Sequence, residues 1–162
     1  MKQFLMMLIG ASVIWSSTLH ATNHGNGDGY GDNKGAKMMQ VKDSISEALV
    51  ILSSDSLQTQ GMAMVLGNTL AQSGVKVSVL LCDHAGDLAL SQSESAMMKP
   101  KNVSPKMLLG RLKAQGAKVD VCALYLPNSE HSKADLSEGV GVAKPPEIAA
   151  LMRNQHVRVF TF

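Results

Sequence analysis

The sequence predicts a three-layer α/β sandwich around a mainly parallel sheet of four to five strands. From Asp43 onward, short apolar runs alternate with segments of helical periodicity. The runs are continuous rather than strictly alternating, which suits strands buried on both faces. Serine caps, early prolines and closing glycines punctuate the segments between them. Strands joined through helices in this way require right-handed crossovers, and so a parallel sheet.

The elements follow in order. Ala48-Leu49-Val50-Ile51-Leu52 is the first strand, and Ser53-Ser54-Asp55-Ser56 supplies capping oxygens for a helix. Over Leu57 to Ser73, Met62, Val65, Leu66, Thr69 and Leu70 recur at the spacing of a core-facing helical stripe, which Gly74 closes. Val75 to Leu81 is the second strand. Ser104 and Pro105 open a second helix as N-cap and N1, with Met107, Leu108 and Leu112 on its apolar side and a stop at Gly116. Val119 to Leu124 is the third strand and Gly139 to Val142 a short fourth. Pro145-Pro146 starts a last helix through Met152, and Val157 to Phe160 closes the chain as a strand.

The residues before Asp43 read differently. Lys2, then an uncharged run from Phe4 to Trp15, then Leu19-His20-Ala21 make the three-part layout of a secretory signal peptide over 1–21. The run is too short to span a bilayer as a helix. Export follows as an expectation, to the periplasm of a double-membraned bacterium, with no stable membrane insertion once the leader is cleaved. Cleavage after Ala21 removes one positive charge, Lys2, from the net +2. Residues 22–42 are glycines among polar side chains, too poor in apolar area to offset ordering entropy, and read as a flexible tether. A calcium loop at Asn26-Gly27-Asp28 fails because Tyr30 and Lys37 stand where oxygen ligands are needed. The domain proper is 43–162.

Composition narrows the function. At 162 residues a single domain is expected, and 45% hydrophobic content excludes global disorder. A net charge of +2, with one Trp, two Tyr and three Phe, offers neither electrostatic footprint nor stacking platform, so no nucleic-acid partner is expected. Two cysteines cannot build a disulfide scaffold or a four-cysteine zinc site. No glycine interrupts Ser53 to Ser56, which disfavours a phosphate loop, and the serines near His131 lack a nucleophile-elbow pattern. Met38-Met39, Met97-Met98, His24 and the thiols are soft ligands suited to copper(I), but no pair has a helix-specific ligand spacing. No metal and no cofactor is expected.

What chemistry remains lies at the carboxyl ends of the strands, where open parallel sheets place their sites. Cys82 falls one residue past the second strand, followed by Asp83 and His84; Cys122 falls toward the end of the third. A thiol beside a cationic imidazole at a strand end suits a nucleophile, whereas a small apolar residue ending a buried strand is the structural reading. His131, in the polar loop after Cys122, stands either as an activating base or as a surface residue. A Cys82–Cys122 disulfide is the alternative in an oxidising compartment, provided the second and third strands are neighbours.

Val119-Asp120-Val121-Cys122, Asp135 to Val140, Glu147 to Leu151 and Val157 to Phe160 together resemble the carboxyl half of the DsrE/DsrF-like family. The amino half fits through the strand ending in Ser53 to Ser56, the stretch Gln72 to Leu81 and the small-residue turn Asp83 to Gly86, so the resemblance covers Ser46 to Phe162. It implies a homo-oligomer, trimeric or hexameric, in which some members carry sulfur as a persulfide on a cysteine at the end of the third strand. Cys122 matches that cysteine. Relatives with C-x-x-C have a second thiol where this chain has Tyr125, which argues against a dithiol at that site and leaves open a one-thiol carrier exchanging sulfur with a donor or acceptor protein. Cys82, Asp83, His84, Tyr125 and His131 are the expected surroundings of the thiol. A carrier or binding protein is expected rather than a turnover enzyme, and the rival is a non-catalytic assembly module with buried or joined cysteines.

Overall fold

The computed structural model describes residues 45–162. The leader, the tether, the rejected calcium loop, His24 and Met38-Met39 lie outside the described residues.

Five strands form one sheet, β1 (Glu47–Leu52), β2 (Lys76–Leu81), β3 (Lys118–Val121), β4 (Val140–Val142) and β5 (Val157–Thr161), in the order β4-β3-β2-β1-β5 with every neighbouring pair parallel. The continuous apolar runs place Val50, Leu52, Val77, Val79, Leu81, Val119 and Val121 on one face, in the main core under α1 (Leu57–Gln72) and α2 (Pro105–Ala114). Alternate residues Leu49, Ile51, Leu80, Val157 and Val159 turn to the opposite face. There Ile148 and Leu151 of α3 (Pro145–Arg153) cover them thinly, and no residue of α3 is fully buried.

Local chemistry explains the helix limits. The Ser56 hydroxyl accepts from the Thr59 amide, and the Ser104 hydroxyl accepts from the Met107 amide at 3.2 Å with Pro105 in the first turn. Gly74 and Gly116 take the left-handed conformation just past each helix, with φ of 85° and 92°.

Two expectations are corrected. The stripe Met62, Val65, Leu66 does not face the core: these residues are 55%, 44% and 43% exposed, and α1 buries Gln60, Gly61, Ala63, Met64, Gly67 and Asn68 instead. The reason is close approach. Any Cβ at Gly61 would strike Met98, and one at Gly67 would crowd Leu112, so the small side of the helix is the side that can dock. The third strand is also shorter than its apolar run, ending at Val121, because the chain turns where the Tyr125 amide donates to the Cys122 carbonyl at 2.9 Å.

Asn68 joins α1 to α2. Its buried amide donates to the carbonyls of Met64 and Leu108 at 2.8 and 3.0 Å and accepts from Gln115 Nε2 at 2.7 Å. On the opposite face, the 6%-exposed Asp120 pairs with Lys118 at 3.1 Å, and Gly141, its register partner, leaves room that a Cβ would take. Glu147 bridges Lys118 and Lys144, tying α3 to β3. Asn68→Ala is expected to lower stability by about 1–3 kcal/mol through lost buried hydrogen bonds. A urea unfolding midpoint equal to that of the wild type would contradict this role.

Candidate functional site at the carboxyl edge of β2 and β3

The register of β2 and β3 decides the site. Leu80 pairs with Asp120 and Leu81 with Val121, so the next residues, Cys82 and Cys122, leave their strands side by side. Cys82 packs against the apolar residues of the α3 face, and Cys122 packs against both that cluster and the main core. The backbone ladder continues through them, with the Cys82 amide donating to Leu52 O at 2.8 Å and the Cys122 amide to Leu81 O at 2.7 Å. Both are free thiols and half-buried.

Beyond the thiols the connections part. After β2 the chain enters a 3-10 helix, Asp83–Ala89, whose Ala85, Leu88 and Ala89 join the main core, while β4 leads into α3 on the other face. A cavity of about 480 Å³ lies at this divergence, lined by Cys82, Asp83, His84, Asp87, Cys122, Leu124, Tyr125, Asn128 and Ser129. Asp83 enters it in the left-handed region, at φ 48°, a conformation that aspartate tolerates better than most side chains. Its carboxylate lies 4.0 Å from His84 Nε2, and both side chains are largely exposed.

Tyr125 forms a wall of the cavity. Its ring lies against Gly86, where an added Cβ would run into the ring carbons, and its hydroxyl donates to Asp87 Oδ1 at 2.6 Å. Burial, the hydrogen bond to Asp87 and that carboxylate's charge all push the phenol's ionisation upward, so Tyr125 is a neutral donor. His131 is exposed and lines an adjoining cavity with Asp87, Ser93 and Asp135. It reaches the thiol cavity only through Tyr125, its ring stacked 6.5 Å away.

Five of the expected residues, Cys82, Asp83, His84, Cys122 and Tyr125, thus line one cavity, and His131 stands behind Tyr125. Asp87 was not foreseen. The only trace it left in the sequence is its place in a short acidic turn, and its bond to Tyr125 spans 38 positions. An apolar groove of about 390 Å³, lined by Leu80, Cys122, Leu124, Ala143, Ile148 and Met152, opens on the other side of Cys122. Met97 is exposed and Met98 packs on the core, and no group of three or more His, Cys, Asp or Glu among the described residues is placed to hold a metal.

The Cys82 thiol is pushed up to about 11, first by desolvation, then by the charge and hydrogen bond of the Cys122 thiol beside it, and by Asp83. Cys82 is therefore a protonated thiol near neutral pH, placed to donate to Cys122.

No protein-family model matches the sequence, and no curated protein matches it. Solved structures do. The YchN protein of E. coli superposes with a TM-score of 0.61 at 18% identity, covering 73% of this chain and 99% of its own. MTH1491 of Methanobacterium thermoautotrophicum, described as a protein of unknown function, superposes with a TM-score of 0.53 at 15% identity, covering 72% of this chain and 98% of its own. This likeness shows the fold, the α/β sandwich around a parallel sheet that the residue pattern and the resemblance implied.

Two outcomes follow. Alkylation of Cys82, followed peptide by peptide, is expected to be slow at neutral pH and still rising at pH 9, and to shift to lower pH in Cys122→Ser. The groups facing it in this cavity are Cys122, Asp83, His84, Asp87 and Tyr125. A plateau in the ordinary thiol range would contradict the coupling. Gly86→Ala is expected to displace Tyr125 and cost about 1–3 kcal/mol by overpacking. Unchanged tyrosine fluorescence and stability would show that Gly86 does not seat the ring.

Proposed function

We propose that this protein accepts and relays sulfane sulfur as a persulfide on Cys122. The observation that carries the reading is a free, half-exposed thiol at the carboxyl edge of a parallel strand, opening into a cavity in a DsrE-like fold. The Cys122 thiolate attacks the outer sulfur of a donor persulfide, the sulfur–sulfur bond of the donor breaks, and the donor departs as a thiolate. The reverse attack, by an acceptor thiolate on the outer sulfur of Cys122, passes the sulfur on. One sulfur is sufficient for this exchange, so Tyr125 in place of a second thiol does not prevent it. Cys82 and Tyr125 shape the chamber in which the added sulfur sits.

The carrier acts outside the cytoplasm in this proposal, supported by Lys2 and the uncharged run Phe4 to Trp15. It works as a homo-oligomer, supported by the exposed apolar stripe Met62, Val65 and Leu66, which a lone subunit leaves in water. That stripe also favours the second reading, an assembly module without thiol chemistry.

Incubating the reduced full chain with inorganic polysulfide and weighing it intact distinguishes the two. The expected gain, at the earliest times after mixing and lastingly in Cys82→Ser, is one sulfur atom on the peptide of Cys122, lost in Cys122→Ala. No gain in mass, with unchanged oligomeric state in both cysteine variants, would leave the assembly module as the function.

A further inference from the structure

The cavity holds two thiols, and persulfide exchange on Cys122 uses one. Three residues after Cys122 the chain has Tyr125, whose hydroxyl is engaged by Asp87, so no second thiol comes from the turn itself. The parallel register brings a second sulfur from the neighbouring strand, since Cys82 follows Leu81 as Cys122 follows Val121, and both pack against the apolar residues of the α3 face, Cys122 reaching the main core as well. Parallel strands lie about 4.8 Å apart, and disulfides span Cα separations of about 4.4–6.8 Å. The Cys122 amide donates to Leu81 O, which holds the start of the turn after β3 against the end of β2. Both thiols are free and both line the same cavity.

We propose that Cys82 is the resolving thiol for a persulfide on Cys122, so that the pair releases sulfide and closes as a cross-strand disulfide. This rests on the persulfide reading of Cys122. The Cys82 proton passes to solvent and its thiolate attacks Sγ of Cys122. A Cys82 Sγ–Cys122 Sγ bond forms, the bond from Cys122 Sγ to the outer sulfur breaks, and its electron pair leaves with that sulfur as hydrosulfide. The outer sulfur is reduced and the Cys82 sulfur oxidised. A dithiol reductant, small or protein-borne, then reopens the disulfide by thiol–disulfide exchange. Burial pushes the Cys82 thiol up, so closure is slower near neutral pH than in alkali.

The test uses the reduced full chain, loaded with inorganic polysulfide without oxygen, desalted, and followed by intact mass and by sulfide released. Wild type is expected to lose the added sulfur as sulfide and to end two hydrogens lighter than the reduced protein, with the Cys82 and Cys122 peptides joined. Cys82→Ser is expected to keep the sulfur on Cys122 and to release none. Cys82→Ala, checked for an unchanged unfolding midpoint, guards against a folding defect. Wild type and both variants holding the sulfur equally long would overturn the role of Cys82 while leaving Cys122 as a carrier. If no protein gains sulfur at Cys122, the carrier reading fails first and the resolving role falls with it.

Discussion

The parallel pairing of β2 with β3 is the constraint on which the site depends. Side chains alternate along a strand, so a slip of one residue in this register would send one cysteine to the main core and leave the other alone on the α3 face. The observed pairing of Leu81 with Val121 is held by burial of Val77, Val79, Leu81, Val119 and Val121 under two helices. Hydrophobic burial on one face thereby sets the chemistry on the other. Cys82 and Cys122 sit together because the valines and leucines next to them have nowhere else to go.

The surroundings follow from how the chain leaves those strands. Asp83 in a left-handed conformation turns the backbone at once into a 3-10 helix, and Gly86 in that helix makes room for Tyr125 from the turn after β3. The Tyr125–Asp87 hydrogen bond then locks the two exit segments together. The cavity therefore has one wall made by this pair, and across Cys122 an apolar groove runs toward α3, which has no fully buried residue. The half-exposed Cys122 thiol thus lies between a wall fixed by a hydrogen bond and an open apolar groove.

Much of this was legible in the residues. The helix starts at Ser104-Pro105 and Pro145, the glycine stops at Gly74 and Gly116, and the placement of both cysteines at strand ends rest on local rules, which hold because each is satisfied within a few residues. The buried face of α1 was not legible. Apolar periodicity selects Met62, Val65 and Leu66, but packing selected the side where Gly61 and Gly67 allow Met98 and Leu112 to approach, and no local pattern carries that information. Asp87 and the separation of His131 from the thiols depend on contacts between distant segments, and the paired thiols depend on strand order. Tyr125 stands where the resemblance leads one to expect a second cysteine; in the fold the second sulfur arrives from β2.

The central claim, that Cys122 carries sulfur into a cavity it shares with Cys82, is tested most directly by a crystal structure of the Cys82→Ser full chain treated with polysulfide, with the sulfurs located by anomalous scattering. One additional sulfur, bonded to Cys122 Sγ and directed into the cavity beside Tyr125, is expected. An unmodified Cys122, with the serine beside it and no added sulfur in the cavity, would contradict it.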